Sequence, residues 1–282
     1  MSRRRDLLSK ARTGDPSAQF DLACDYDFEQ PKDRRRARFW YRKAAEQGHA
    51  EAQNDLAECV ADGVGGRKSM QEALKWFRQS AQQGDPDAQL SLGAALFYGE
   101  GTRKNRAEPL AWYRKAARQG HSSAKLNIGH MYRCGEGVVR NESRAIHWYH
   151  KASMNGHTAA TYWLARMYDS RSDVLATTYY LLAAVKGDAD SQCEYGVRRM
   201  NGKGCKRDPK SAARWYLAAA NQGDGWACYL LGLCYRDRLG VEQNPARAKH
   251  WFALAAAKKV KEARQALKQL ATPKTNRLDG GQ

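Results

Sequence analysis

Residues 112–120 read WYRKAARQG, and residues 40–48 read WYRKAAEQG. The phrase returns as WFRQSAQQG at 76–84, WYHKASMNG at 148–156, YYLLAAVKG at 179–187 and WYLAAANQG at 215–223. Aligned on the closing glycine, Gly14, Gly48, Gly84, Gly120, Gly156, Gly187 and Gly223 follow at intervals of 34, 36, 36, 36, 31 and 36 residues. A further copy ends near Lys259, where the glycine is lost. Self-similarity at this period predicts a stack of helical hairpins.

In the second half of each unit, Ala37, Trp40, Tyr41, Ala44 and Ala45 share the spacing of one α-helical face. The equivalent aromatic pairs are Trp76/Phe77, Trp112/Tyr113, Trp148/Tyr149, Tyr179/Tyr180, Trp215/Tyr216 and Trp251/Phe252. Alanine pairs one turn later leave room for a neighbouring helix while the rings fill the wider gaps. The first half predicts a second helix, marked by Ala88, Leu92 and Gly93, by Ala124, Ile128 and Gly129, and by Ala227, Leu231 and Gly232. Glycine inside a helix costs about 1 kcal/mol against alanine. Its return at Gly93, Gly129, Gly196 and Gly232 therefore predicts close backbone packing at that slot.

Paired glycines such as Gly99-Glu-Gly101 and Gly135-Glu-Gly137 predict a turn with positive φ after the first helix. Ser69, Asn105, Asn141, Asp208 and Asn244 stand seven residues before their tryptophans and predict N-caps, with Pro209 and Pro245 at the first helical position. Two places depart from the pattern. The unit after Gly156 runs through DSRSD at 169–173 without a glycine turn, so its hairpin loop should be short. Pro109 replaces the usual alanine and lacks an amide donor, so it should disturb its first turn. A bend or a change of twist is expected at one of them.

The combined pattern is A-x-x-x-L-G-x-x-Y-x-x-G-x-G-V followed by N/D-x-x-x-A-x-x-W-Y-x-K-A-A-x-Q-G. It resembles the Sel1-like repeat family, relatives of the tetratricopeptide repeats. Residues 84–120 and 120–156 carry it most fully, and it covers roughly residues 14–259. The resemblance implies an all-α fold, a right-handed superhelical solenoid of αα hairpins, acting as an adaptor or scaffold for protein complexes. On this reading residues 1–13 form an N-terminal capping helix. Seven repeats follow at 14–47, 48–83, 84–119, 120–155, 156–186, 187–222 and 223–259, then a capping helix at 260–271 and a flexible tail at 272–282. Some secreted members staple each hairpin with a disulfide and are linked to penicillin binding. The seven cysteines here recur at no regular pair of positions, so neither property is expected.

Composition bounds the function. The 282 residues include 42% hydrophobic ones, enough for a substantial core, and the formal charge of +18 favours acidic partners. The N-terminus lacks an apolar leader and no run is long enough to span a bilayer, which points to a cytoplasmic chain without a membrane span. Phosphate-loop, dinucleotide, zinc-protease and nucleophile-elbow motifs are absent. His147 and His150 lie three apart but have no third ligand at a customary spacing, and His49, His121 and His157 sit where helices start. No catalytic residue, metal site or cofactor is expected.

Two candidate surfaces remain. First-helix residues line the inner wall of such a stack, where Asp21, Asp55 and Glu58 gather negative charge and Trp163, Trp226 and Leu230 offer apolar anchors. Eight positions before each tryptophan or its equivalent stand Lys32, Lys68, Lys104, Arg140, Arg171 and Arg207, a ladder interrupted at Gln243. Stacking would carry these cations along one loop edge, a cluster every 10 to 20 Å or so. The expected partner is a protein or peptide with an acidic surface. Nucleic acid is the alternative, since DNA offers a phosphate about every 3.4 Å per strand, but the aromatics belong to the repeat core and form no stacking platform.

Overall fold

The computed structural model describes residues 2–28 and 33–271, and the regular elements among them are sixteen α-helices. The chain divides into two compact units, Met1–Gly156 and His157–Gln282. Unit 1 opens with α1 (Ser2–Arg12). Its hairpins are α2 (Pro16–Phe28) with α3 (Arg34–Glu46), α4 (Ala50–Asp62) with α5 (Met70–Gln83), α6 (Pro86–Tyr98) with α7 (Pro109–Arg118), and α8 (Ser122–Cys134) with α9 (Glu142–Met154). Unit 2 pairs α10 (Thr158–Tyr168) with α11 (Asp173–Val185), α12 (Ala189–Asn201) with α13 (Pro209–Asn221), and α14 (Gly225–Asp237) with α15 (Pro245–Ala257), and closes on α16 (Lys261–Ala271). Within each unit consecutive helices pack against one another, which makes each an all-α solenoid of hairpins.

The rings hold each hairpin shut. In every second helix the second aromatic is the buried one, as at Tyr41, Tyr149, Tyr180 and Phe252, while the aromatic before it, tryptophan except at Tyr179, stays half-buried. That buried ring lies on the small residue of the first helix. A Cβ on Gly129 would meet the Tyr149 ring at 2.5 Å, and one on Gly232 would meet Phe252 at 2.5 Å. The sequence predicts a backbone approach at this slot, but what approaches is a ring from the hairpin's own second helix.

The two turn glycines do different work. Gly135 caps α8 with φ 74°, its N–H donating to the Met131 carbonyl at 2.9 Å. At Gly137 a Cβ would fall 1.6 Å from the Arg106 carbonyl oxygen of the preceding hairpin, so the second glycine is needed for stacking.

A row of buried glutamines joins the hairpins. Gln53 Nε2 donates to the Ala45 carbonyl at 3.1 Å, and its Oε1 accepts from Gln83 Nε2 at 2.8 Å. Gln19, Gln89 and Gln192 repeat both bonds with Gln47, Gln119 and Gln222. The glutamine before the closing glycine thus holds the first-helix glutamine of its own hairpin, and that first-helix glutamine is the connector to the preceding helix. Satisfying these amides matters because an unpaired buried one costs about 1–3 kcal/mol.

Pro109 shortens α7. In neighbouring hairpins the residue at this register donates its N–H to the cap residue, as Ala145 does to the Asn141 carbonyl at 3.0 Å. Proline has no such donor. The helix therefore begins at Pro109, with Glu108 as its N-cap. Asn105, expected as the cap, instead accepts from the amides of Ala107 and Glu108 in the preceding turn. Ser69, Asn141, Asp208 and Asn244 do cap their helices. His49, His121 and His157 are N-caps of α4, α8 and α10, and the first two accept from the helix through Nδ1.

The glycine-free hairpin connects α10 and α11 through residues 169–172 only. An ionic network around one buried arginine braces this short connection. Arg198 of α12, with a side chain 5% exposed, reaches Asp169, the Asp173 carbonyl and Thr177 Oγ1. Tyr180 donates to Asp169 at 2.9 Å, and the Arg198 guanidinium lies 5.0 Å from the Tyr180 ring centre. At the chain ends, Ala11 of α1 and Ala263 and Ala266 of α16 are buried against their neighbours. Among the cysteines, Cys59, Cys193, Cys228 and Cys234 are buried, and burial pushes the Cys59 and Cys234 thiols up to about 12.

Candidate functional site

The outward stripe of each first helix consists of the residues 3, 7, 10 and 14 positions after the repeat glycine. These form the wall, and at the third position Cys24 and His130 also meet the hydroxyls of Tyr41 and Tyr149 from the second helix. In unit 1 the stripe is acidic: Asp21 on α2, then Glu51, Asp55, Glu58 and Asp62 on α4, then Asp87 on α6. Asp21 and Glu58 are exposed and Asp55 is half-buried. Burial pushes the Asp55 carboxyl from its ordinary 3.8 up to about 6, with Glu58, Asp85 and Glu51 adding repulsion and a hydrogen bond from Asn54 at 3.2 Å opposing it. Glu58 is raised in the same way, by burial and then by Asp87, Asp62 and Asp85, again against Asn54.

Two grooves flank the Glu58 and Asp62 stripe. The groove between α2 and α4, about 280 Å³, is lined by Asp27, Phe28, Tyr41, Asp55, Glu58 and Asp62, among others. The groove between α4 and α6, about 720 Å³, has Ala61, Met70, Phe77, Ala94 and Ala95 as its apolar lining, with Glu58, Asp62, Glu100 and Lys68 at its polar margin.

In unit 2 the wall is mixed. Trp226 is 45% exposed, with its ring 5.2 Å from that of Tyr229. Leu230 is half-buried against the unit 2 core, and Trp163 is half-buried with its ring edge-on to Tyr162 at 5.6 Å. The predicted wall residues therefore fall into two sets, Asp21, Asp55 and Glu58 in unit 1, and Trp163, Trp226 and Leu230 in unit 2.

The loop cations are exposed, Lys68, Lys104 and Arg140 in unit 1 and Arg171 and Arg207 in unit 2, while Lys32 lies outside the described residues. Their Cβ atoms lie beside the turn glycines, since a Cβ on Gly99 would meet the Lys104 Cβ at 3.2 Å and one on Gly135 the Arg140 Cβ at 3.3 Å. Arg140 pairs with Glu142 at 2.8 Å. Arg207 Nε donates to the Met200 carbonyl at 3.0 Å, and Gln243 makes the same bond to the Arg236 carbonyl at 2.8 Å. At these two positions the slot needs a donor and not a charge, which accounts for the gap in the ladder.

No group of three His, Cys, Asp or Glu side chains among the described residues is placed to hold a metal ion, and no described helix is long and apolar enough to cross a membrane. The Sel1 repeat model matches residues 16–49, 50–85, 86–121, 122–157, 189–224 and 227–260. The chain belongs to the Sel1 repeat family. The stretch between the fourth and fifth matched repeats contains the short hairpin of α10 and α11. The structure is similar to that of a protective antigen present in uropathogenic Escherichia coli strains, which displays the same repeat fold, with TM-score 0.88 and 30% identity over 95% of this chain. This chain spans 59% of the length of that protein. A Sel1 repeat protein from Oxalobacter formigenes is similar at TM-score 0.83 and 28% identity, covering 95% of this chain and 80% of its own. None of the curated proteins matches. Sel1 repeats form a scaffold-type fold, generally non-enzymatic, that mediates protein–protein interaction.

Three features of the Sel1 surface escape a reading of the repeated phrase. Phe28 and Tyr98, 70% and 65% exposed, stand at the same wall position as Asp62 on the neighbouring first helices. The wide groove opens because Ala94 occupies a position held elsewhere by Glu58, His130 and Arg166. Its lining is apolar because Phe77 stands where most hairpins have tyrosine. A register-by-register comparison of the repeats contains the signal for each.

Proposed function

We propose that this Sel1 repeat chain is a non-catalytic scaffold that docks a protein partner on its first-helix wall and its loop edge, the edge taking an acidic face of the partner. The observation that carries this reading is the division of labour along the repeat. Rings, alanines and glutamines are consumed in packing, whereas Lys68, Lys104 and Arg140 stand exposed beside the turn glycines of successive hairpins of unit 1. Cations so arranged steer an acidic surface and fix its register. A cytoplasmic setting fits a chain with this partner chemistry.

The test is the combined variant Lys68→Glu/Lys104→Glu/Arg140→Glu of the full chain. Capture of acidic proteins from native lysate should fall about tenfold or more, with helical content and melting nearly unchanged. Unaltered capture counts against the edge. Titration of the wild-type chain with labelled RNA and duplex DNA at about 50 and 200 mM salt separates the nucleic-acid alternative, whose affinity would drop steeply between the two.

A further inference from the structure

We propose that the groove between α4 and α6 is a docking site for a basic, partly apolar protein segment, one that lays a lysine or arginine side chain along the groove and sets its charged head against Glu58 and Asp62. This goes beyond the loop edge: the groove margin is mainly acidic, and Lys68 is the one edge cation that also lines it.

The chemistry follows from three local substitutions in the repeat. Tyr41 and Tyr149 direct their hydroxyls to Cys24 and His130 on the outer part of the first helix, and Tyr180 to Asp169 just beyond α10. Phe77 has no hydroxyl, so the lining there is hydrocarbon. Ala94 and Ala61 keep the space above it open, to about 720 Å³. Long cationic side chains suit such a slot, since their methylene stems bury against apolar surface while the head stays polar.

Charge decides which head is accepted. Acids surround the slot: Glu58, Asp62 and Glu100 line it, and Asp55, Asp85 and Asp87 add to the negative field at Glu58 and its neighbours. Among the described residues neither Glu58 nor Asp62 has an ion-pair partner within the chain; the one cation in the lining is Lys68. This concentration of acid occurs on a chain of net charge +18, which otherwise repels cationic ligands.

The experiment is selection from a displayed library of random twelve-residue peptides against the immobilised full chain. Each recovered peptide is then measured by fluorescence anisotropy against the wild type, the Glu58→Gln/Asp62→Asn variant and the Ala94→Trp variant, with circular dichroism confirming that each is folded. Recovered peptides should be rich in Lys or Arg beside Leu, Met or Phe. Both variants should bind them about tenfold more weakly, and the Lys104→Glu/Arg140→Glu variant, which leaves the groove-lining Lys68 in place, should bind them no more weakly than wild type. Four outcomes overturn the proposal: no enrichment, enrichment of acidic peptides, equal binding to the groove variants, or self-association of the chain that Glu58→Gln/Asp62→Asn abolishes. The last would assign the groove to a second copy.

Discussion

Arg198→Ala is expected to lower the unfolding free energy by about 3 kcal/mol or more, read by urea denaturation followed by circular dichroism. The guanidinium is nearly enclosed and makes bonds to Asp169, Thr177 and the Asp173 carbonyl. Removing it leaves Thr177 Oγ1 without that donor and Asp169 with Tyr180 but no enclosed cation, and exposes one face of the Tyr180 ring. Asp169 is partly open to water, so its carboxylate rehydrates in part, which holds the cost toward the lower end of the range for breaking a buried pair. Arg198→Lys should lose most of the same stability, because an ammonium cannot span three acceptors in one plane. A change below about 1 kcal/mol for Arg198→Ala would show that the short hairpin is held by its helices alone.

The second large effect has the opposite sign. Asp55→Asn is expected to stabilise the folded chain at pH 7 by about 2 kcal/mol, and by almost nothing near pH 4. In the folded chain the Asp55 carboxyl holds its proton to about pH 6, against 3.8 ordinarily. The folded state therefore binds more protons than the unfolded one between these values, and stability falls as pH rises through that window. Asparagine cannot ionise, so the variant lacks this loss. Equilibrium unfolding of both proteins at pH 4, 5, 6 and 7 or so should show curves that separate upward from pH 4; parallel curves would mean that Asp55 is well hydrated. A residue that destabilises its own fold at neutral pH is what a binding wall with an unmet charge would contain.

The hairpins were legible in the sequence because each packing demand recurs at a fixed register. The ring pairs, the cap residues and the turn glycines state it independently, and Pro109 announced its own disruption through its missing amide. Less legible was which ring is buried: tryptophan is the more conspicuous letter, but the residue after it points at the slot glycine. Arg198 was invisible as a core residue because its partners lie 21 to 29 positions away, brought near only by the short loop. The same limit applies to the wall. Asp55 and Glu58 were readable as one acidic face, whereas the groove beside them depends on what Phe77 and Ala94 lack.

Site-specific photo-cross-linking tests the proposed division of surfaces most directly. A benzophenone amino acid is placed singly at Ser91 in the α4/α6 groove, at Lys104 on the loop edge, and at Gln79 on the exposed face of α5, and each full chain is irradiated in native lysate. Covalent adducts to partner proteins are expected from Ser91 and Lys104 and not from Gln79. Adducts confined to Gln79 would contradict the assignment of binding to the wall and the edge.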